Sequence, residues 1–451
     1  MNKNINLLEG NIKSTLLRLS IPLALTAFIQ IAYGFVDMLW IAKLGTNAVA
    51  GVGIAGFVFW IANSLALIPK IGMGVYASQA YGSNHKDETI RVINNGLLQA
   101  LILGLLFTLF SLAVRNVFIE FYQLGAEAEQ SAKEYMTIVA SGMLLFFVNP
   151  ILTQSFTSLG NSFTPFVINT IGLVANMILD PVLIFGFGTI EPQGVEGAAW
   201  ATVLSQLFVF FAFILTILIE NGLLRRAITR ITLRWDWQVA IFKLGIPAAL
   251  LSGFHASISM VLNRFMSGFG PTPVAVTSIG SQIESISWNT SEGLQVGIQA
   301  LVAQNFGAGN AKRVIESIRE SFKLISMIGV IATIVLVVFS EGLFTMFMPH
   351  DPEAIRLGSI YLIILGLSQA FMSIEIGLAG AFNGLSDTRT PALIGVILNL
   401  FRIPISLMLM PILGVIGVWI AMSSTSIAKG VVSMYLLRRK VNRMEWLIEN
   451  R

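Results

Sequence analysis

Two aspartates stand where charge is least welcome. Asp37 lies in "YGFVDMLWIAKLG" (33–45) and Asp180 in "NMILDP" (176–181), among Phe, Val, Met, Leu, Ile and Trp. A carboxylate at the centre of a membrane helix costs on the order of 2.5–3.5 kcal/mol on insertion scales, so one kept there marks a function. Asn176 precedes Asp180 by four residues and shares its helical face. Thr202 closes the motif "GAAWAT" (197–202). Two carboxylates, an amide oxygen and a hydroxyl are hard oxygen ligands of the kind that hold Na⁺. Carboxylates crowded out of water also take up protons readily. The chemistry on offer is reversible binding of a small cation.

The elements that must position these residues are membrane helices. Of 451 residues, 55% are hydrophobic and only 12% are charged, with a mean hydropathy of +0.78. That is too little charge to cover a soluble protein of this length. Apolar runs of about 20 residues, enough to cross about 30 Å of hydrocarbon, recur throughout. They are continuous rather than alternating, which indicates helices and not a β-barrel. Runs and breakers place twelve spans at 15–43, 48–81, 91–114, 134–157, 164–187, 195–220, 238–267, 274–305, 320–348, 356–383, 391–410 and 413–438. The first follows the polar "MNKNINLLEGNIKST" without a small-residue cleavage site, and is read as a retained helix.

Twelve spans put both termini on one side. Most of the 28 Lys and Arg fall there, including Arg225, Arg226, Arg230, Arg234 and Lys243, and then Arg438, Arg439, Lys440 and Arg443. The bias makes that side the cytoplasm. A multi-pass protein of the plasma membrane with both termini cytoplasmic is expected.

The two halves repeat. "RLSIPLAL" (18–25) returns as "KLGIPAAL" (243–250), and "GMGVYASQAYG" (72–82) as "GIQALVAQNFG" (297–307), with no gap between. "FTPFVINTIGLVANMILDP" resembles "RTPALIGVILNLFRIP", and "GVEGAAWA" resembles "GVIGVWIA". Six helices precede the second copy, so both copies run in the same direction. The expected fold is an all-α polytopic membrane protein of twelve transmembrane helices, in two six-helix lobes related by a pseudo-two-fold axis along the membrane normal. The N-terminal lobe takes 1–220, a basic cytoplasmic linker 221–237, and the C-terminal lobe 238–451. Pro22 and Pro247 should bend helices 1 and 7, giving hinges.

The repeat is also an internal control. Asp37 corresponds to Leu262 and Asp180 to Ile403, so the folding pattern does not require either acid. Both acids lie in the last third of helices running outward, and Thr202 about two turns into a helix returning inward. All three share one depth of the N-terminal lobe. Gln30, Tyr33, Gln154 and Gln206, polar residues of the same lobe, are candidates for a substrate cavity, with Glu284 of "SQIES" added from the C-terminal half. Glu284, Glu292, Glu375 and Arg402 are a candidate second polar set.

At this point a resemblance becomes specific. The carriers are "IP…FVD…LG" in helix 1, "QAYG" and "QNFGAGN" after helices 2 and 8, "NMILDP", "GAAWAT" and "SQIES". Over essentially its full length the chain resembles the multidrug and toxic compound extrusion (MATE) transporters, of the prokaryotic type with a cation site in the N-lobe. The resemblance implies two lobes around a central cavity, and export of amphipathic, often cationic, compounds by alternating access in exchange for Na⁺ or H⁺. It also implies that Asp37, Asn176, Asp180 and Thr202 bind the coupling cation. One branch of the family carries a Na⁺ site in the C-lobe, where this chain has His255 and Met372 instead of acids. That site is not expected here.

Other classes are excluded or disfavoured. There is no Cys, and the three His are scattered, so His/Cys metal sites and thiol chemistry are not expected. "GVGIAG" (51–56) fits a nucleotide fingerprint but has no strand before it, and "NTS" at 289 is a sequon inside a span. No nucleophile–base set suggests an enzyme. No cofactor and no nucleic acid is expected; small-molecule substrates and the lipid bilayer are the expected partners, and a monomer the expected state. The rival readings are a channel and a flippase for lipid-linked precursors. A flippase needs a cationic cavity, for which only Arg402, Lys70 and Arg264 offer themselves.

Overall fold

The computed structural model describes residues 5–122, 125–220, 222–230, 232–349 and 351–449, with the backbone alone at 30–35, 271 and 449. Among them are fifteen helices: α1 (Ile12–Ala42), α2 (Thr46–Gly82), α3 (Lys86–Phe121), α4 (Ala126–Ser158), α5 (Phe163–Phe185), α6 (Gly194–Glu220), α7 (Leu223–Thr229), α8 (Trp235–Ser267), α9 (Pro271–Gly307), α10 (Ala311–Val338), α11 (Ser340–Phe347), α12 (Pro352–Gly366), α13 (Gln369–Gly384), α14 (Arg389–Leu413) and α15 (Val415–Glu449). One isolated bridge, Phe187 to Ile190, tightens the α5–α6 connection. Apolar side chains cannot satisfy backbone polar groups in hydrocarbon, so each segment closes its own hydrogen bonds.

Ten of these helices are long and apolar enough to cross a membrane, and α12 with α13, bent by 46° at their break, makes eleven. The expected eighth span, 274–305, is the difference. It is α9, 37 residues long, whose apolar run is interrupted by Gln282, Glu284, Asn289, Glu292 and Gln295. The expected ninth span divides into α10 and α11 at Phe339.

The chain packs as two compact units, which differ from the division by repeat. The first comprises Leu25–Ala249 together with Ile5, and the second Asn6–Ala24 together with the chain from Leu250 onward. Both borders fall inside a helix, two residues past Pro22 in α1 and two past Pro247 in α8. Each proline removes one rung of the helical ladder, which makes these positions the weak points of their helices.

Glycines explain which unit takes the leading half of each helix. In the first unit a Cβ on Gly72 of α2 would strike the Ile241 carbonyl of α8, and one on Gly245 of α8 would strike the Ile68 carbonyl of α2. The two backbones are therefore in direct contact, which only small residues permit. In the second unit Gly293 and Gly297 of α9 admit Ala24 and Ser20 of α1 in the same way.

The described residues of the 221–237 stretch, 222–230 and 232–237, are also held by packing. Asn94 Nδ2 donates to the Ala227 carbonyl (2.8 Å) and its Oδ1 accepts from Thr232 N (3.0 Å). Asn95 Oδ1 accepts from Arg234 N (2.9 Å), and Gln99 donates to the Gln238 carbonyl (3.0 Å). Each unit has its own core. Phe147, Phe156, Phe213 and Met73 are fully buried in the first. In the second, Trp419 meets the edge of Tyr361 at 5.3 Å, and Phe344 is buried beside them.

Candidate functional site

Asp37 and Asp180 each stand five residues before the end of their helix, α1 and α5. Tyr135 and Thr202 stand nine and eight residues after the start of α4 and α6. Ends of two helices and starts of two others form one level of the first unit. Asp180, Asn176, Thr202 and Tyr135 are buried, and Asp37 is half-buried. The ends of α1 and α5 are fastened by Trp40, whose ring meets the edge of Phe185 at 5.9 Å. Lys43 Nζ lies 4.2 Å from the Trp40 ring centre.

The carboxyl groups of Asp37 and Asp180 lie within hydrogen-bonding reach of each other. Such a bond exists only when one of them carries a proton, because an ionised carboxylate accepts and never donates. With both ionised, Asp180 Oδ1 and Oδ2 and Asp37 Oδ1 have no donor. Asn176 Oδ1 and Nδ2, on the same face of α5, also lack a partner. Leaving a buried polar atom unsatisfied costs about 1–3 kcal/mol. Four orphaned acceptor oxygens are thus concentrated in one small region, and a proton or a small metal cation would satisfy them. The residues present fit such an ion. Among the described residues no group of three His, Cys, Asp or Glu side chains converges, so neutral oxygens would have to complete any metal shell.

Thr202 joins the cluster through Tyr135. Its Oγ1 donates to the Ala198 carbonyl (3.0 Å), which leaves its lone pairs free to accept. The buried Tyr135 side chain lies beside Thr202 and near both carboxyls. Sequence reasoning missed Tyr135. The available signal was the repeat, which places it opposite Tyr361, another buried tyrosine beside a carboxyl.

The proposed cavity residues belong to four helices, α1, α4, α6 and α9. Gln30 and Tyr33 belong to α1, but their side chains lie outside the described residues. Gln154 is buried against Gly74 of α2. Gln206 is fastened to Asn149, whose Nδ2 donates to its backbone carbonyl (2.9 Å) and to its Oε1 (2.8 Å). Glu284 sits in the second unit, where its Oε2 accepts from Gln369 (2.9 Å) near Tyr361.

The second polar set is only partly assembled. Arg402 donates to Thr425 Oγ1 and Ser426 Oγ, both at 3.0 Å, within the field of Glu375 and Glu284. Glu375 pairs with Lys429 at 2.8 Å, both nearly buried. Glu292 instead lies on the exposed side of α9, accepting from Trp288 Nε1 (2.6 Å). Lys429 was missed, although a lysine inside the apolar run of α15 is itself a signal.

Fold and site together define a polytopic helical membrane protein with an acidic pair, one member buried and one half-buried, near one end of its first helix bundle. The MatE family model matches residues 22–182 and again 247–408, and the chain belongs to that family. It is 28% identical to the probable multidrug resistance protein NorM of Thermotoga maritima over 430 residues, 94% of this chain and 91% of that one. It is 27% identical to an FAD transporter of Shewanella oneidensis over 441 residues, 96% of each chain. A crystal structure of a MATE protein in complex with MaD3S superposes with a TM-score of 0.91 at 20% identity, covering 99% of both chains. An outward-facing multidrug resistance MATE transporter of the MOP superfamily gives 0.90 at 21% identity, with 98% of this chain and 99% of that one covered.

Proposed function

We propose that this protein is a secondary active exporter of amphipathic and cationic compounds, driven by inward flow of H⁺ or Na⁺ and working by alternating access between two lobes. The observation that carries the reading is the pair Asp37–Asp180 with its orphaned oxygens. A cation entering from outside binds there, satisfies the acceptors and removes the repulsion between two carboxylates. The packing of α1 against α5 then changes, and α1 contains its weak point at Pro22. One charge moving down 100 mV supplies about 2.3 kcal/mol, a concentration ratio of about fiftyfold. The reading places the protein in the plasma membrane with both termini cytoplasmic and the basic 221–237 stretch between the lobes on that side.

Relatives named as multidrug resistance and multidrug export proteins support export. A flippase for lipid-linked precursors is less well supported. Arg402 is engaged by hydroxyls, and Arg264 donates to Ser267 near the end of α8. The test is dye efflux from vesicles holding the purified protein, under an imposed pH gradient and, separately, a Na⁺ gradient. Efflux under one of them that Asp37→Asn abolishes is the expected result. Equal efflux by the wild type and the variant would reject the site.

A further inference from the structure

The last helix is longer than a bilayer requires. The 35 residues of α15 rise about 52 Å, against about 30 Å of hydrocarbon. Its apolar run ends at Leu437 and "RRKVNR" (438–443) follows, so the final turns stand beyond the hydrocarbon edge.

Packing fixes which way these turns face. Leu437 and Val441 are buried. Lys440 Nζ donates to Asp387 Oδ2 (2.7 Å) in the turn between α13 and α14, and Glu445 pairs with Arg319 of α10. The opposite side carries Val432, Tyr435, Arg439 and Arg443 at three- and four-residue steps, all exposed, with Arg438 beside them. Tyr435 is 65% exposed. Among the described residues no carboxylate pairs with Arg438, Arg439 or Arg443. One stripe thus runs from aliphatic side chains that meet lipid, through a tyrosine at the hydrocarbon edge, to two guanidinium groups one turn apart.

The repeat shows that the fold does not require this stripe. Aligning "GVIGVWIA" (414–421) with "GVEGAAWA" (194–201) sets Arg438 and Arg439 opposite Leu218 and Ile219, both exposed. Lys440 falls opposite Glu220, where α6 ends, whereas α15 continues to Glu449.

We propose that the outer face of α15 docks an anionic phospholipid, whose acyl chain lies along Val432 and Tyr435 and whose phosphate is held by Arg439 and Arg443. Charge complementarity and continuity with the lipid-facing stripe select this occupant: a planar guanidinium matches phosphate oxygens in pairs. A second copy of the chain would set arginine against arginine across a two-fold interface. The proposal takes from the export reading only that α15 crosses the membrane, and it holds whatever compound is carried.

The full-length protein in a neutral detergent is titrated with fluorescent phosphatidylglycerol and with phosphatidylcholine of the same chains and label. The anionic lipid should bind more tightly, and high salt should weaken it. Arg439→Gln/Arg443→Gln is expected to weaken phosphatidylglycerol binding about thirtyfold and to leave phosphatidylcholine within about twofold of wild type. Arg439→Lys/Arg443→Lys, which keeps the charge, should retain most of the affinity. The control Arg225→Gln/Arg226→Gln removes two exposed charges elsewhere and should stay within about twofold. If the double variant lacks a wild-type thermal transition, the single variants Arg439→Gln and Arg443→Gln, each expected to lose about fivefold, take its place. Unaltered phosphatidylglycerol affinity, equal losses for both lipids, or the same loss in the control would overturn the site. Displacement of the lipid by glycerol phosphate or by polyglutamate would also overturn it, assigning the face to a soluble phosphate or an acidic protein. Selective lipid binding by a protein that exports nothing would remove the export reading and leave this site standing.

Discussion

Asp37 of α1 and Asp180 of α5 meet carboxyl to carboxyl inside the first unit, with no other donor for the three oxygens they bury. Two acids in that relation share what neither can hold alone. Asp180→Asn should therefore reduce ion-driven efflux as severely as Asp37→Asn, and the double variant should be no worse than either single one. Initial efflux rates of all three proteins measure this; additive losses would show that the acids act independently.

Tyr135 stands beside Thr202 and the acidic pair. Tyr135→Phe removes a hydroxyl able to make one neutral hydrogen bond, worth about 0.5–1.5 kcal/mol. The variant should fold normally and need an about two- to tenfold higher concentration of the coupling ion for half-maximal efflux. A change in maximal rate with no change in that concentration would place Tyr135 outside the site.

The contact of α2 with α8 depends on two glycines whose added Cβ atoms would meet backbone carbonyls. Gly72→Ala and Gly245→Ala should each destabilise by about 1–3 kcal/mol or more, seen as a lowered Tm in detergent. Gly53→Ala and Gly56→Ala are the controls, since nothing lies within 4 Å of their Cβ positions. These should be neutral or slightly stabilising.

The buried pair Lys429–Glu375 answers to charge balance. Lys429→Met leaves an unpaired buried carboxylate and should cost about 3–5 kcal/mol. Adding Glu375→Gln to that variant should recover most of the loss in thermal stability. Failure to recover would mean that the lysine serves something other than its partner.

Outside the membrane-spanning segments, Asp387 gives a pH prediction. Partial burial raises its carboxyl, but hydrogen bonds from Lys440 Nζ (2.7 Å) and from Thr390 N and Oγ1 outweigh this and hold it below the usual carboxylate range. A depressed folded value contributes stability above the unfolded value near 3.8 and loses it as pH falls through the folded one. The pair is partly exposed, so after screening the gain is about 0.5 kcal/mol. Asp387→Asn should lower Tm at pH 7, and the gap to wild type should begin to narrow only below about pH 4, as pH falls towards the folded value. A gap that does not narrow at all on acidification would assign the effect to the Thr390 turn instead.

Much of this was written in the chain. The apolar runs dictated membrane helices, because a backbone in hydrocarbon must close its own hydrogen bonds. The internal repeat identified Asp37 and Asp180 as departures from a pattern that Leu262 and Ile403 fulfil with aliphatic side chains, and Leu262 is buried. Three things depended on long-range packing. Tyr135 belongs to the acidic cluster because α4 presses against the level where α1 and α5 end, and no local spacing encodes that meeting. The leading halves of α1 and α8 join the units that they do because glycines in α9 and α2 let backbones touch. Glu292 separates from Glu284 and Glu375 because helical phase turns it outward from α9. Periodicity and composition act within a segment and can be read along it, whereas the pairing of faces is settled only when segments far apart in the chain compete for the same neighbours.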